Sequence, residues 1–179
     1  MTTKEALTKL IDGNKRYVCA KTGCGDISEQ RRIETCQKGQ HPFALVITCS
    51  DSRVIPEEIF SCGIGELFII RVIGNVISDT ELASIQYGVS HLGVSAVIVL
   101  GHTHCGAIQA TIEKEGHGFI KKATDMIEKA IGEEKDPDAA VVLNVNYSKN
   151  VILKELGVEK EIVVGAIYDI ESGKVQFLN

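Results

Sequence analysis

The stretch Phe43-Ala44-Leu45-Val46-Ile47-Thr48-Cys49-Ser50-Asp51-Ser52-Arg53 passes from an apolar run into a polar segment carrying a thiol, a carboxylate and a guanidinium. The run is rich in branched residues and bounded by Pro42 and Ser50, which suits a strand buried on both faces. Leu67-Phe68-Ile69-Ile70-Arg71-Val72, Ser95-Ala96-Val97-Ile98-Val99-Leu100 and residues 161–168 repeat the pattern. Between them lie helix-like segments. Asp79–Leu92 begins at a candidate Asp cap and presents Leu82, Ile85, Val89 and Leu92 at helical spacing. Residues 104–115, 118–132 and 138–156 read as further helices, and Ser172-Gly173 turns the chain into a short strand over 174–178. Residues 3–18 read as an amphipathic helix, 21–26 as a loop and 27–37 as a second, polar helix. This order predicts an α/β fold: a central, mostly parallel β-sheet of four to five strands flanked by helices, with an N-terminal helical arm. With no internal repeat or long linker, one domain is expected over 1–179, its arm at 1–38 and its core at 39–179.

The balance of 19 basic against 24 acidic residues, net charge −5, argues against nucleic acid as a partner, because phosphate binding needs a basic surface. The apolar runs fall far short of the ~20 residues that cross a bilayer, so no membrane partner is expected. Met1-Thr2-Thr3-Lys4-Glu5 is charged and lacks the apolar core of an export signal, which points to a cytoplasmic protein. There are six cysteines and no tryptophan. In a reducing compartment cysteines serve as metal ligands, catalytic groups or small buried side chains. No pair here has C-x-x-C spacing, so a metal site must be assembled from distant parts of the chain.

Ligand sites in open α/β sheets lie at the carboxyl ends of strands. One predicted strand runs into Cys49-Ser50-Asp51-Ser52-Arg53 and another into Gly101-His102-Thr103-His104-Cys105-Gly106. If these strands are neighbours, Cys49, His102 and Cys105 converge. Two thiolates and an imidazole suit Zn²⁺ and leave its fourth tetrahedral position for water, the arrangement of a catalytic site. Residues two apart in an extended loop share a face, so Asp51 and Arg53 also point there. Asp51 either coordinates the metal or accepts a hydrogen bond from its water; a bidentate pair with Arg53 favours the second.

Cys49-Ser-Asp51-Ser-Arg53-Val, followed by Gly101-His102-Thr-His-Cys105-Gly106, closely resembles the β-class carbonic anhydrases. Gly13-Asn14-Lys15-Arg16-Tyr17, Gly39-Gln40-His41-Pro42-Phe43, Arg71-Val72-Ile73-Gly74-Asn75 and Gly165-Ala166-Ile167-Tyr168-Asp169 extend the likeness over nearly the whole chain. The resemblance implies reversible hydration of CO₂ to bicarbonate and a proton by a zinc-bound hydroxide. One zinc ion per subunit would be held by Cys49, His102 and Cys105, with Asp51 and Arg53 as the catalytic pair beside it. It implies a homodimer, or a larger assembly of dimers, with active sites at the subunit interface. It further implies that Gln40 orients CO₂, that Phe68, Ile73 and Tyr87 line an apolar pocket, and that the Gly106 N–H contacts a substrate oxygen. In some bacterial relatives the aspartate ligates zinc in a state stabilised by bicarbonate at a tryptophan-dependent site. The absence of tryptophan, with Val46 three residues before Cys49, implies the open, Asp51–Arg53-paired state here. Many relatives are longer between the H-x-x-C motif and the last strand, where this chain has only residues 107–160.

Plainer readings compete at several positions. His104 reads as a candidate proton shuttle rather than a fourth ligand. His41, His91 and His117 read as surface or packing residues, Cys62 as packing behind the site, and Cys19, Cys24 and Cys36 as carrying no chemistry. Two other functions use the same residues: hydrolysis of carbonyl sulfide or carbon disulfide, and a non-catalytic zinc-binding or thiol-sensing role. Retention of both Asp51 and Arg53 speaks against the last.

Overall fold

The computed structural model describes residues 1–19 and 25–178. Its sheet comprises β1 (Ala44–Thr48), β2 (Leu67–Arg71), β3 (Ala96–His102), β4 (Val163–Tyr168) and β5 (Val175–Phe177), in the order β2-β1-β3-β4-β5. The first four strands are parallel, and β5 returns antiparallel against β4. The expected α/β architecture is therefore the one found. Every residue of β1 and β3 is buried, as their unbroken apolar runs predict. β2 departs from expectation: it is only half-buried, because it forms the edge of the sheet.

Helices α1 (Thr3–Cys19) and α2 (Glu29–Lys38) form the arm. α1 packs Ala6 and Leu10 into a cluster with Val46, Ile98, Leu100 and Phe60 on one face of the sheet. Its Asn14 is buried and ties three segments together. The side-chain amide donates to the carbonyls of Ile59 (3.2 Å) and Gly173 (2.9 Å), and its oxygen accepts the Val175 N–H (2.9 Å). α2 buries none of its residues. The opposite face of the sheet is covered by α4 (Asp79–Gln86) and α7 (Pro137–Leu156), which pack Ile85, Val145 and Ile152 against Leu45, Ile47 and Val99.

Several boundaries differ from the sequence reading. α4 starts at a Ser78 cap, not an Asp79 cap, and the Ser78 N–H donates to the Glu81 carboxylate at 2.9 Å. The expected helix to Leu92 ends at Gln86 and continues as a π-helical turn over Tyr87–His91. Gly88 explains why a wider turn is accommodated there: a Cβ on it would meet Leu45 Cδ1 at 2.5 Å, so only glycine lets this segment lie on the sheet. A short helix α3 (Pro56–Ile59), absent from the sequence reading, follows the polar segment. α5 (Gly106–Ile112) and α6 (Ile120–Ile131) are shorter than expected, and α7 uses Pro137 as its first residue after an Asp136 cap. The loop expected over 21–26 lies largely outside the described residues. Among the described residues no helix is long and apolar enough to cross a membrane.

Candidate metal centre

β1 and β3 are parallel neighbours with Thr48 opposite Leu100, and the buried Thr48 hydroxyl donates to the Leu100 carbonyl at 2.8 Å. Cys49 is the first residue beyond β1, His102 the last of β3, and Cys105 the residue that precedes α5. Their ligating atoms lie within 4.8 Å of one another, and all three residues are buried. Ile108, Ile127 and Val141, from α5, α6 and α7, close the apolar packing around the two cysteines.

The donor set fits a small, soft-to-borderline cation. His102 Nδ1 lies 2.8 Å from the Thr103 carbonyl, an acceptor only, so the ring proton sits on Nδ1. Nε2 is left with a free lone pair and has no partner among the described residues, although it is fully buried. A buried acceptor facing two thiols and otherwise unsatisfied fits a cation-binding site. Main-chain N–H groups favour the thiolate at each sulfur: those of Asp51 and Gly74 at Cys49, and those of Ala107 and Ile108 at Cys105. The Gly74 nitrogen is 3.4 Å from the Cys49 Sγ. Cys49 is pulled well below the ordinary thiol range, first by the hydrogen bond from Cys105. Cys105 is pushed up by the neighbouring Cys49 sulfur and by burial. A divalent cation reverses that opposition, since it favours thiolate at both positions.

Beside the cluster, Arg53 forks onto Asp51, with Nε to Oδ1 at 3.0 Å and an NH2 group to Oδ2 at 2.8 Å. The expected extended loop is instead a turn: the Arg53 backbone N–H reaches Asp51 Oδ1 at 2.9 Å and the Val54 N–H reaches the Asp51 carbonyl at 3.0 Å. An aspartate readily binds the backbone two residues on, and that turn brings the guanidinium back over the carboxylate. Arg53 holds the Asp51 carboxyl far below the usual carboxylate range, so it is ionised at any working pH. Oδ2 stands 4.0 Å from His102 Nε2.

Three further groups shape the site without having been singled out from sequence. Arg71, at the end of β2, donates to the Asp51 carbonyl (2.6 Å) and the Cys49 carbonyl (3.4 Å). Thr103 takes the His102 ring proton on its carbonyl and the Ile170 N–H on its hydroxyl (3.1 Å). Gly74 sits at φ 61°, and a Cβ there would meet Ile127 Cδ1 at 2.7 Å. Only the arginine closing an apolar strand gave a sequence signal.

The remaining expected residues divide. Gly106 opens α5 beside Cys105, and Ile73 adjoins Gly74 with its side chain partly exposed. Phe68 pairs with Leu45, about 13 Å back along the strands from Cys49, and contacts Tyr87 with ring centroids 6.1 Å apart. Gln40 is exposed and precedes β1, at the end of that strand opposite Cys49. Within one chain, Gln40, Phe68 and Tyr87 are thus not brought to the cluster. His104 is exposed and at φ 55°, and its carbonyl accepts from Arg53 at 3.1 Å. His41, His91 and His117 are exposed. Cys62 is buried, yet it packs with Leu10 and Phe60 under α1 and not behind the metal centre, because the chain turns away after α3. Cys19 and Cys36 are exposed, and Cys24 lies outside the described residues.

A family model described as carbonic anhydrase matches residues 44–175. The carbonic anhydrase of Mycolicibacterium smegmatis is 32% identical over 184 residues, covering 93% of this chain and 89% of that protein. That of Emericella nidulans is 31% identical over 192 residues, covering 96% and 82%. Among solved structures, the β-carbonic anhydrase CafA of Aspergillus fumigatus aligns with a TM-score of 0.70 at 30% identity, over 98% of this chain and 90% of that one. A chain from work on two tetrameric β-carbonic anhydrases of Sordaria macrospora aligns at 0.71 and 26% identity, over 84% and 87%. Sequence, sheet order and the residues gathered at the ends of β1 and β3 thus agree, and the chain belongs to the β-class carbonic anhydrase family of enzymes.

Proposed function

We propose that the protein hydrates CO₂ reversibly to bicarbonate and a proton, with Cys49, His102 and Cys105 holding zinc. The observation that carries this reading is the unpartnered, fully buried His102 Nε2 facing two thiols, with an ionised carboxylate 4.0 Å away. Bound zinc supplies the Lewis acidity that lowers the pKa of a water molecule towards neutrality. Asp51 is an acceptor only, and Arg53 fixes its direction, so Oδ2 takes one hydrogen bond from the attacking water and turns a lone pair towards the carbon of CO₂. Because Arg53 already occupies both carboxylate oxygens, Asp51 orients and does not ligate. The Gly106 N–H, opening α5, meets the oxygen on which negative charge develops.

An uncharged substrate favours an apolar pocket, to which Ile73 contributes from the same chain. Gln40, Phe68 and Tyr87 serve the site of a second copy, in a homodimer or an assembly of dimers. Their distance from their own cluster supports this, as do the exposed apolar surfaces of Ile73 and Tyr87, 39% and 44%. The Sordaria macrospora relatives are described as tetrameric, which is consistent with such an assembly. The chain would work as one domain over 1–179, in the cytoplasm.

Stopped-flow CO₂ hydration against pH, with metal content measured on the same sample and carbonyl sulfide hydrolysis run in parallel, tests the reading. Zinc near one per chain with CO₂ hydration dominant is expected. A fully loaded protein inert towards CO₂ overturns it.

A further inference from the structure

Four main-chain N–H groups favour thiolate at the two sulfurs, and three of them come from residues two or three positions beyond the cysteine they serve: Asp51 after Cys49, and Ala107 and Ile108 after Cys105. Local turn or helix geometry delivers these without outside help. The fourth belongs to Gly74, 25 residues beyond Cys49, at a nitrogen–sulfur distance of 3.4 Å. It lies in the short 3₁₀ turn Ile73–Asn75, where Gly74 and Asn75 both take left-handed backbone conformations, φ 61° and 45°. Such a turn has no ladder of its own to hold it. Two polar side chains of α7 reach across to it instead. Asn144 Nδ2 donates to the Gly74 carbonyl at 2.9 Å, and the Ser148 hydroxyl donates to the Asn75 carbonyl at 3.1 Å. Both side chains are buried, on a helix whose other inward positions are mostly apolar.

We infer that Asn144 is a positioning residue for the metal centre: by holding the Gly74 carbonyl it aims the Gly74 N–H at the Cys49 sulfur. The inference rests on Cys49 being a metal ligand, as proposed above. Gly74 is gripped from both sides. Asn144 takes its carbonyl, and Ile127 and Ala107 leave no room for a side chain, with a Cβ meeting them at 2.7 and 3.1 Å. Without that amide the buried Gly74 carbonyl would lose its side-chain partner, so the bond both holds the turn and fixes its direction. An N–H directed at a thiolate draws charge from the sulfur, so less is donated to the metal and the metal stays a stronger Lewis acid. The helix that covers the sheet would in this way set the electron density on a ligand 95 residues away in sequence.

The test uses the whole chain loaded with ¹¹³Cd and labelled with ¹⁵N. Scalar coupling from the metal through sulfur to amide protons reports each N–H···S bond separately. In the unaltered protein, the amides of Asp51, Gly74, Ala107 and Ile108 are expected to couple. In Asn144→Leu the Gly74 coupling is lost while the other three persist. Asn144→Ser, too short to reach, gives the same pattern if the leucine variant does not fold. Weakening of all four couplings together would mark a merely structural role and overturn the inference. So would a Gly74 coupling that survives in both variants. Failure of cadmium to couple to any of these amides overturns the assignment of the ligands themselves, which distinguishes the two ideas.

Discussion

Asp51 Oδ2 stands 4.0 Å from His102 Nε2, held beside the candidate metal cluster by Arg53, which binds both carboxylate oxygens at 2.8 and 3.0 Å. Asp51→Asn places an N–H where an acceptor is required and breaks the fork. It is expected to keep its zinc and lose roughly 100-fold or more in kcat/KM. Arg53→Lys, which cannot reproduce two parallel bonds, should fall in the same direction by less. Metal analysis beside stopped-flow kinetics separates lost chemistry from lost zinc.

The same pair carries a pH signature. The carboxyl of Asp51 is depressed in the folded protein, first by the Arg53 hydrogen bonds. Its contribution to stability is therefore complete above the ordinary carboxyl pKa of about 4 and is lost as pH falls through the lower folded value. In acid unfolding, the stability difference between the wild type and Asp51→Asn should be constant from pH 8 to 5 and shrink only below about 4. A difference that already shrinks at pH 6 would mean the pair opens near neutrality.

Two thiolates cancel the charge of a divalent ion, so the site acidifies water less than three neutral imidazoles would. CO₂ hydration is expected to rise with pH from neutrality to about 9 and to vanish when zinc is stripped, returning when it is restored. A profile flat across that range excludes water ionisation as the controlling step.

Gln40 and Cys49 lie at opposite ends of β1, and mixed dimers can show whether they belong to different sites. Cys49→Ser and Gln40→Ala chains are each expected to be impaired alone. Unfolded together and refolded, they form heterodimers with one intact site, and activity recovers to a substantial fraction of wild type. No gain on mixing would place Gln40 within its own chain's site or outside catalysis.

Burial, and then the Glu66 carboxylate, push the Cys62 thiol up to about 12. The unfolded chain releases that proton near 8.5–9. Stability contributed by the neutral thiol is present below that pH and falls as pH rises towards 12. Cys62→Ala should show a shallower alkaline loss of stability. Alkylation of the native protein at pH 8 followed by mass spectrometry should find Cys19 and Cys36 modified and Cys62 untouched until denaturant is added.

The sheet and the meeting of Cys49, His102 and Cys105 are legible because both are written as contrasts. β1 and β3 are unbroken apolar runs that stop abruptly at reactive side chains, and burial on both faces leaves a strand no polar alternatives. β2 has the same composition but lies at the edge, and exposure of an edge depends on strand order, which the run itself does not encode. Alternation predicts an extended segment at Ser52-Arg53 because it gives the same shared face as the aspartate turn found there. Asn144 and Ser148 were invisible for another reason: an isolated polar residue on a helix looks solvent-facing until the opposing carbonyl is known. Gly74 needed the same tertiary knowledge, since its demand for a bare Cα comes from Ile127 and Ala107, far along the chain.

The pairing of Thr48 with Leu100, secured by the Thr48 hydroxyl, would make a metal held by Cys49, His102 and Cys105 a proofreader of strand alignment. Sliding β3 by one residue against β1 would turn His102 to the opposite face of the sheet and shift it, with Cys105, relative to Cys49. A cation that binds only the correct alignment takes its binding energy from that alignment alone. Zinc taken up during folding would penalise every misregistered sheet. The apo-protein would then fold with looser discrimination among registers, even though every apolar contact that drives collapse is still available to it.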